Sequence, residues 1–172
     1  MTTKLTLSNL NQLDQSAFIL ELGGIYEHSP WVAELTYSEQ PFDSVNSLHQ
    51  TMMSIVKNAG LDRRLALIRN HPELAGKEAD EGTLTEDSKK EQSRAGLNQC
   101  NAEELNQIRG LNKSYLQKFS FPFVIAVSGL NKHQVIAAMQ TRLENDEESE
   151  FNTSLNEIDK IARIRLDALI DV

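Results

Sequence analysis

A single cysteine in 172 residues, Cys100, rules out an internal disulfide framework and fits a reducing compartment. Aromatic residues make up only 6% of the chain, and four prolines and eight glycines leave long stretches without a breaker. No apolar run approaches membrane-spanning length, and the opening Met1-Thr2-Thr3-Lys4-Leu5-Thr6 lacks the apolar core of a signal peptide. The closing Leu169-Ile170-Asp171-Val172 is not a peroxisomal address, so a cytoplasmic protein is expected. No Lys/Arg stripe is present; the net charge is −8 and the positive residues are interleaved with acids, which argues against nucleic acid as a partner. The same charge repels anions at long range, so an anionic substrate would need a local cationic or amide-lined pocket. The two closest histidines, His28 and His49, are 21 positions apart, leaving no helix-spaced pair for a metal. Neither a Gly-rich phosphate loop nor a nucleophile elbow occurs.

What the chain does contain is helical pattern. It is 40% hydrophobic and 24% charged, with Leu, Ala, Ile, Glu, Gln and Asn prominent. The length suits one domain, residues 1–172, with a real core. Apolar spacing and cap residues predict helices over Ser8–Leu13, Gln15–Leu22, a segment from Trp31, Val45–Asn58, Leu61–Ile68, Glu86–Leu97, Ala102–Phe119, Asn131–Leu143 and Ser154–Leu169. Residues 76–85 and the acidic run 144–148 read as loops. The apolar run Phe121–Val127 has no clear period and is expected to be a buried connector or a helix start. The fold class is all-α: a single-domain bundle of seven to nine helices.

Three places carry candidate chemistry. The first is Arg69-Asn70-His71-Pro72-Glu73-Leu74-Ala75-Gly76-Lys77. Proline disfavours the α conformation for its predecessor, so His71 should leave the helix and project from a corner. There it either caps the last helical carbonyls or serves as an acid/base near neutral pH.

The second is the polar helix from Glu86, with Thr83 or Thr85 as N-cap. Ser88, Glu91 and Gln92 stand at i, i+3 and i+4 and share one face, which is either plainly solvated or able to read an amide-rich ligand. The third is the last helix. Leu155, Ile158, Ile161, Ala162, Leu166 and Leu169 form an apolar stripe with Arg165 near its middle, whereas Arg163 falls on the polar side. A core-facing guanidinium demands a partner: Glu91, another acid, or a ligand carboxylate. Cys100 and His28 read as structural.

Taken in order, these motifs resemble a known family. His71-Pro72-Glu73-Leu74-Ala75-Gly76-Lys77, Leu84-Thr85-x-x-Ser88-x-x-Glu91-Gln92-x-x-Ala95-Gly96-Leu97, Asn112-x-x-Tyr115, Phe121-Pro122-Phe123 and Arg163-x-Arg165-Leu166 are similar to those of the OHCU decarboxylases, as is Glu27-His28-Ser29-Pro30-Trp31. OHCU is 2-oxo-4-hydroxy-4-carboxy-5-ureidoimidazoline, an intermediate of urate breakdown. Asn70 departs from the small apolar residue expected before the histidine.

The resemblance implies a carboxy-lyase that forms (S)-allantoin, working as a homodimer with neither metal nor organic cofactor. It implies His71, Glu91 and Arg165 as catalytic residues. Pro72, the segment Ser88, Lys89, Lys90, Glu91 and Gln92, and the strap Phe123, Val124, Ile125, Ala126 and Val127 would bind the substrate. A non-enzymatic helical interaction module is the competing reading, in which the polar helix and Arg165 are structural.

Overall fold

Helix starts follow local capping chemistry. Asp14 caps α2 (Gln15–Leu22) by accepting from Ala17 N–H at 2.8 Å. Ser44 and Ser47 form a capping box on α4 (Val45–Asn58), and Asn101 with Glu104 do the same for α8 (Ala102–Phe119). Each cap satisfies an amide that the first helical turn leaves without a partner. Between these run α1 (Leu7–Leu10), α3 (Trp31–Tyr37), α5 (Leu61–Arg69), α6 (Lys77–Glu81) and α7 (Glu86–Arg94). After α8 come α9 (Lys132–Arg142) and α10 (Glu147–Leu169). This computed structural model describes residues 4–172. Their all-α character is relieved only by a two-residue parallel pairing of β1 (Leu5–Thr6) with β2 (Ile170–Asp171).

Several boundaries differ from expectation. Residues 77–81 form the short α6 instead of a loop, started at Gly76 and stopped by Gly82 in the left-handed conformation (φ 69°). Of the acidic run, residues 144–146 lie outside any helix as expected, but Glu147 and Glu148 open α10, which starts seven residues before the expected Ser154. Asp146 accepts from Ser149 N–H at 2.7 Å, and Glu147, Glu148 and Glu150 occupy the first turn, where the helix dipole favours negative charge. The helix from Glu86 ends at Arg94, with a 3₁₀ turn at Leu97–Gln99 beyond it. Thr85, not Thr83, caps α7 by accepting from Ser88 N–H at 3.2 Å.

The chain forms two compact units, residues up to Asn70 with Ile158–Val172, and His71–Glu157. In the first, α3 packs on α2 and α4. Its core includes Leu10, Phe18, Leu22, Leu48, Met52 and Leu67, together with the stripe of α10 at Ile158, Ala162 and Leu166. In the second, α8 packs on α9. There Tyr115 and Phe119 cluster with Phe121 and Phe123, and the Tyr115 ring lies 5.3 Å from Phe123 edge-on. Among the described residues no helix is long and apolar enough to cross a membrane.

Candidate functional site

The turn that carries His71 begins where α5 ends at Arg69, with Asn70 closing the helix. His71 is only 7% exposed, so the corner lies inside the protein rather than on a helix surface. Three side chains hold the turn that follows. Asn112 of α8 donates to the Leu74 carbonyl at 2.9 Å, Gln92 of α7 accepts from Ala75 N–H at 3.0 Å, and Arg109 of α8 donates to the Ala75 carbonyl at 3.3 Å. Ala75 needs such support because its φ of 49° lies in the left-handed region, which disfavours a Cβ. Next to it, a Cβ on Gly76 would stand 2.7 Å from the Glu73 Cβ, which explains a glycine there. Burial, and then the charge of Glu78, push the Glu73 carboxyl above its ordinary range.

On α7 the expected face is partly inward. Ser88 and Gln92 are buried and Glu91 is half-buried, while Lys89 and Lys90 are exposed. Gln92 uses its oxygen on Ala75, which leaves its amide NH₂ as the part available to a ligand. Thus Gln92 joins the His71 turn to α7, a role its polar spacing did not announce.

The run from Phe121 is a connector with no regular secondary structure from Pro122 to Val127. Phe121, Phe123, Val124 and Val127 are buried, while Ile125 and Ala126 are half-buried. Its carbonyls are engaged at two points: Val124 by Arg142 Nη1, and Val127 by Leu130 N–H at 3.0 Å. Among the described residues no protein acceptor takes the amides of Phe123 to Val127. Interior amides are nearly always paired, so this strap offers donors in the form that an anionic or carbonyl-rich ligand uses.

Arg165, buried at 5% exposure, belongs to the first unit. Its Nη1 lies 2.7 Å from Oε2 of Glu27 and donates to the Gly24 carbonyl at 3.2 Å. Glu27, from the stretch before Ser29-Pro30-Trp31, is therefore an acid partner of Arg165. Arg163, on the polar side as expected, pairs with Asp167 at 3.0 Å and reaches Asn46 at 3.2 Å.

One feature had no sequence signal of its own, and one motif gains its explanation. Arg142 and Glu150 form a buried pair, with Arg142 Nη2 to Glu150 Oε2 at 2.8 Å. Burial pushes the Glu150 carboxyl up, but hydrogen bonds from Arg142, Tyr115 and Asn145 outweigh it and hold the group below its ordinary range. Asn112 and Tyr115, one turn apart on α8, send their side chains to the Leu74 carbonyl and to Glu150 respectively. That division of labour accounts for the Asn112-x-x-Tyr115 spacing.

Elsewhere, burial followed by Glu104's charge raises the Cys100 thiol, which disfavours a thiolate nucleophile. Among the described residues no group of three His, Cys, Asp or Glu side chains is placed to hold a metal ion. A surface groove of about 980 Å³ in the first unit, lined by Leu35, Gln50, Ile55, Asn58 and Arg63 among others, contains none of the candidate residues.

The sequence profile of the OHCU decarboxylases matches residues 11–167. The chain belongs to the OHCU decarboxylase family. A 2-oxo-4-hydroxy-4-carboxy-5-ureidoimidazoline decarboxylase of Halalkalicoccus jeotgali is 39% identical over 97% of this chain and 93% of its own. A Xenopus laevis protein of the same name is 33% identical over 93% of this chain and 91% of its own. A uric acid degradation bifunctional protein of Bacillus subtilis is 41% identical, covering 96% of this chain but 33% of that longer protein. Among solved structures, an (S)-allantoin synthase superposes with a TM-score of 0.80 at 30% identity, over 97% of this chain and 54% of the other. An OHCU decarboxylase crystallised in the presence of (S)-allantoin shares the fold, with a TM-score of 0.70 at 23% identity over 86% of this chain and 95% of its own. In this OHCU decarboxylase family member, the turn 71–76, the inward side of α7 and the strap 123–127 all belong to the second unit, and Arg165 to the first.

Proposed function

We propose that this protein is a carboxy-lyase that converts 2-oxo-4-hydroxy-4-carboxy-5-ureidoimidazoline to (S)-allantoin in urate degradation. Family membership over residues 11–167 supports the activity, and the buried, clamped turn bearing His71 is the observation that carries the site assignment. The substrate's own chemistry explains why no cofactor is required. The bond to the carboxylate breaks, CO₂ departs, and its electron pair moves toward the adjacent C=N. The ring nitrogen that receives the pair takes up a proton; the enol so formed then gives up its hydroxyl proton as its carbon becomes a carbonyl, and the ureido-bearing carbon gains a proton that sets its handedness.

The protein's tasks are then to orient the carboxylate, stabilise charge in the ring and direct that proton. His71 moves the proton, with Pro72 beside the substrate and Glu91 setting the imidazole's tautomer or holding the ureido group. Ser88, Gln92 and the amides of Phe123 to Val127 bind the ring and ureido oxygens. Lys89 and Lys90, exposed on α7, belong to the same segment without entering it as deeply. Arg165, whose guanidinium is set by Glu27, is the third catalytic residue that the family resemblance implies.

The enzyme acts as one domain over residues 1–172, in the cytoplasm, as a homodimer, with neither metal nor organic cofactor. Freshly generated substrate, followed by circular dichroism for (S)-allantoin, tests the activity. Formation of racemic allantoin at the uncatalysed rate would overturn it.

A further inference from the structure

Behind the 123–127 strap stands a buried arginine that the proposed mechanism does not use. Arg142, the last residue of α9, is 8% exposed. Its Nε lies 2.9 Å from Glu150 Oε2, its Nη2 reaches Glu150 Oε2 at 2.8 Å and Ser154 Oγ at 3.3 Å, and its Nη1 donates to the Val124 carbonyl. The guanidinium carbon sits 4.3 Å from the centre of the Phe123 ring. Glu150, with no exposure, is braced from other sides by the Tyr115 hydroxyl and by Asn145 Nδ2 at 2.9 Å.

An ion pair this deep recovers little stability after desolvation, and well-packed apolar residues often do as well. Apolar residues cannot, however, bind one chosen carbonyl of an irregular segment. In a trans peptide the C=O and the following N–H point in opposite directions. Fixing the Val124 carbonyl on Arg142 therefore aims the Ile125 amide away from Arg142. Ile125 and Ala126 are also the two residues of the strap that are not fully buried.

We infer that Arg142, braced by Glu150, is a positioning residue that aims the strap's amides, Ile125 N–H foremost, at an oxygen of the substrate. This rests on the reading of Phe123 to Val127 as a substrate-binding segment. Arg142 does not itself touch the substrate; it preorganises donors that would otherwise have to be ordered when the substrate binds.

The test compares two variants in one buried cluster. Arg142→Lys keeps the charge beside Glu150 but cannot serve Glu150 and the Val124 carbonyl together. Tyr115→Phe removes the hydroxyl on Glu150 and leaves the Val124 contact in place. KM should rise about tenfold in Arg142→Lys with a smaller change in kcat, the scale of one misdirected hydrogen bond. Tyr115→Phe should lower the thermal midpoint and leave KM near wild type. A folded Arg142→Lys enzyme with wild-type KM overturns the inference, as does an equal rise in KM in Tyr115→Phe.

Should Arg142→Lys not fold, wild-type protein labelled with ¹⁵N-isoleucine and titrated with (S)-allantoin reads the same point. The Ile125 amide should shift on binding, and saturation without that shift overturns the inference. Wild-type enzyme that forms no (S)-allantoin would overturn the function itself, an outcome distinct from an active enzyme indifferent to Arg142→Lys.

Discussion

Glu27 holds Arg165 in a buried ion pair, Nη1 to Oε2 at 2.7 Å, with side chains 1% and 4% exposed respectively. Removing one partner of such a pair strands the other charge away from water. Glu27→Gln should therefore cost about 3 kcal/mol in urea unfolding. Arg165→Lys retains a charge near Glu27 but loses the planar fork. It should reduce turnover per folded molecule about tenfold or more, a loss of about 1.4 kcal/mol in transition-state binding. Arg163→Lys, on the polar side, should leave turnover unchanged. Intact turnover in Arg165→Lys would reduce Arg165 to scaffold.

His71→Asn should lower the rate of (S)-allantoin formation by about 10²–10⁴, the usual range for losing a positioned acid/base. Because His71 is buried, the smaller asparagine should cost some stability yet leave the helical far-ultraviolet spectrum unchanged. Retention of wild-type enantiomeric production would remove His71 from the mechanism.

Glu91→Gln and Gln92→Ala should fail differently. Glu91→Gln removes a charge from a half-buried position and should depress kcat while the thermal midpoint holds. Gln92→Ala leaves the buried Ala75 N–H without its acceptor, at a cost of about 1–3 kcal/mol, and loosens the turn that carries His71. Equal stability of the two variants in a thermal scan would contradict this division.

Asp159 should make stability fall as pH rises through the mildly acidic range. Burial lifts its carboxyl to about 6, against a smaller opposing effect of the Tyr26 hydroxyl, which donates to it at 2.8 Å. The folded state thus binds the proton more tightly than the unfolded chain, whose aspartate titrates near about 4. Stability is greatest below that value and declines until the folded group has ionised near pH 6. Asp159→Asn keeps an acceptor for Tyr26 and should flatten that slope and stabilise the protein at pH 7. The gain should be on the order of 1–3 kcal/mol by chemical denaturation. A slope unchanged by the substitution would assign the pH dependence to other groups.

Exhaustive dialysis against a chelator should leave turnover unchanged. Loss of activity restored by a divalent cation would refute the cofactor-free reading.

Local chemistry made much of this protein legible in its sequence. The helices Val45–Asn58 and Ala102–Phe119 could be bounded to the residue, because Ser44 and Asn101 cap them within three positions and near-neighbour signals end them. The proline after His71 likewise marked the break in α5, and the stripe on α10 put Arg165 inward. Within the acidic run, Glu147 and Glu148 misled because charge was taken for solvation, whereas the Asp146 cap and the helix dipole make them the first residues of α10.

Tertiary structure alone decided the partners. That Arg165 meets Glu27, that Gln92 serves the Ala75 amide before any ligand, and that Arg142 reaches the Val124 carbonyl are pairings between separate elements. Spacing along one helix reports which side chains share a face, but not what the fold sets opposite that face. A buried charge announces that it needs a partner; only the packing of distant segments says which one it has.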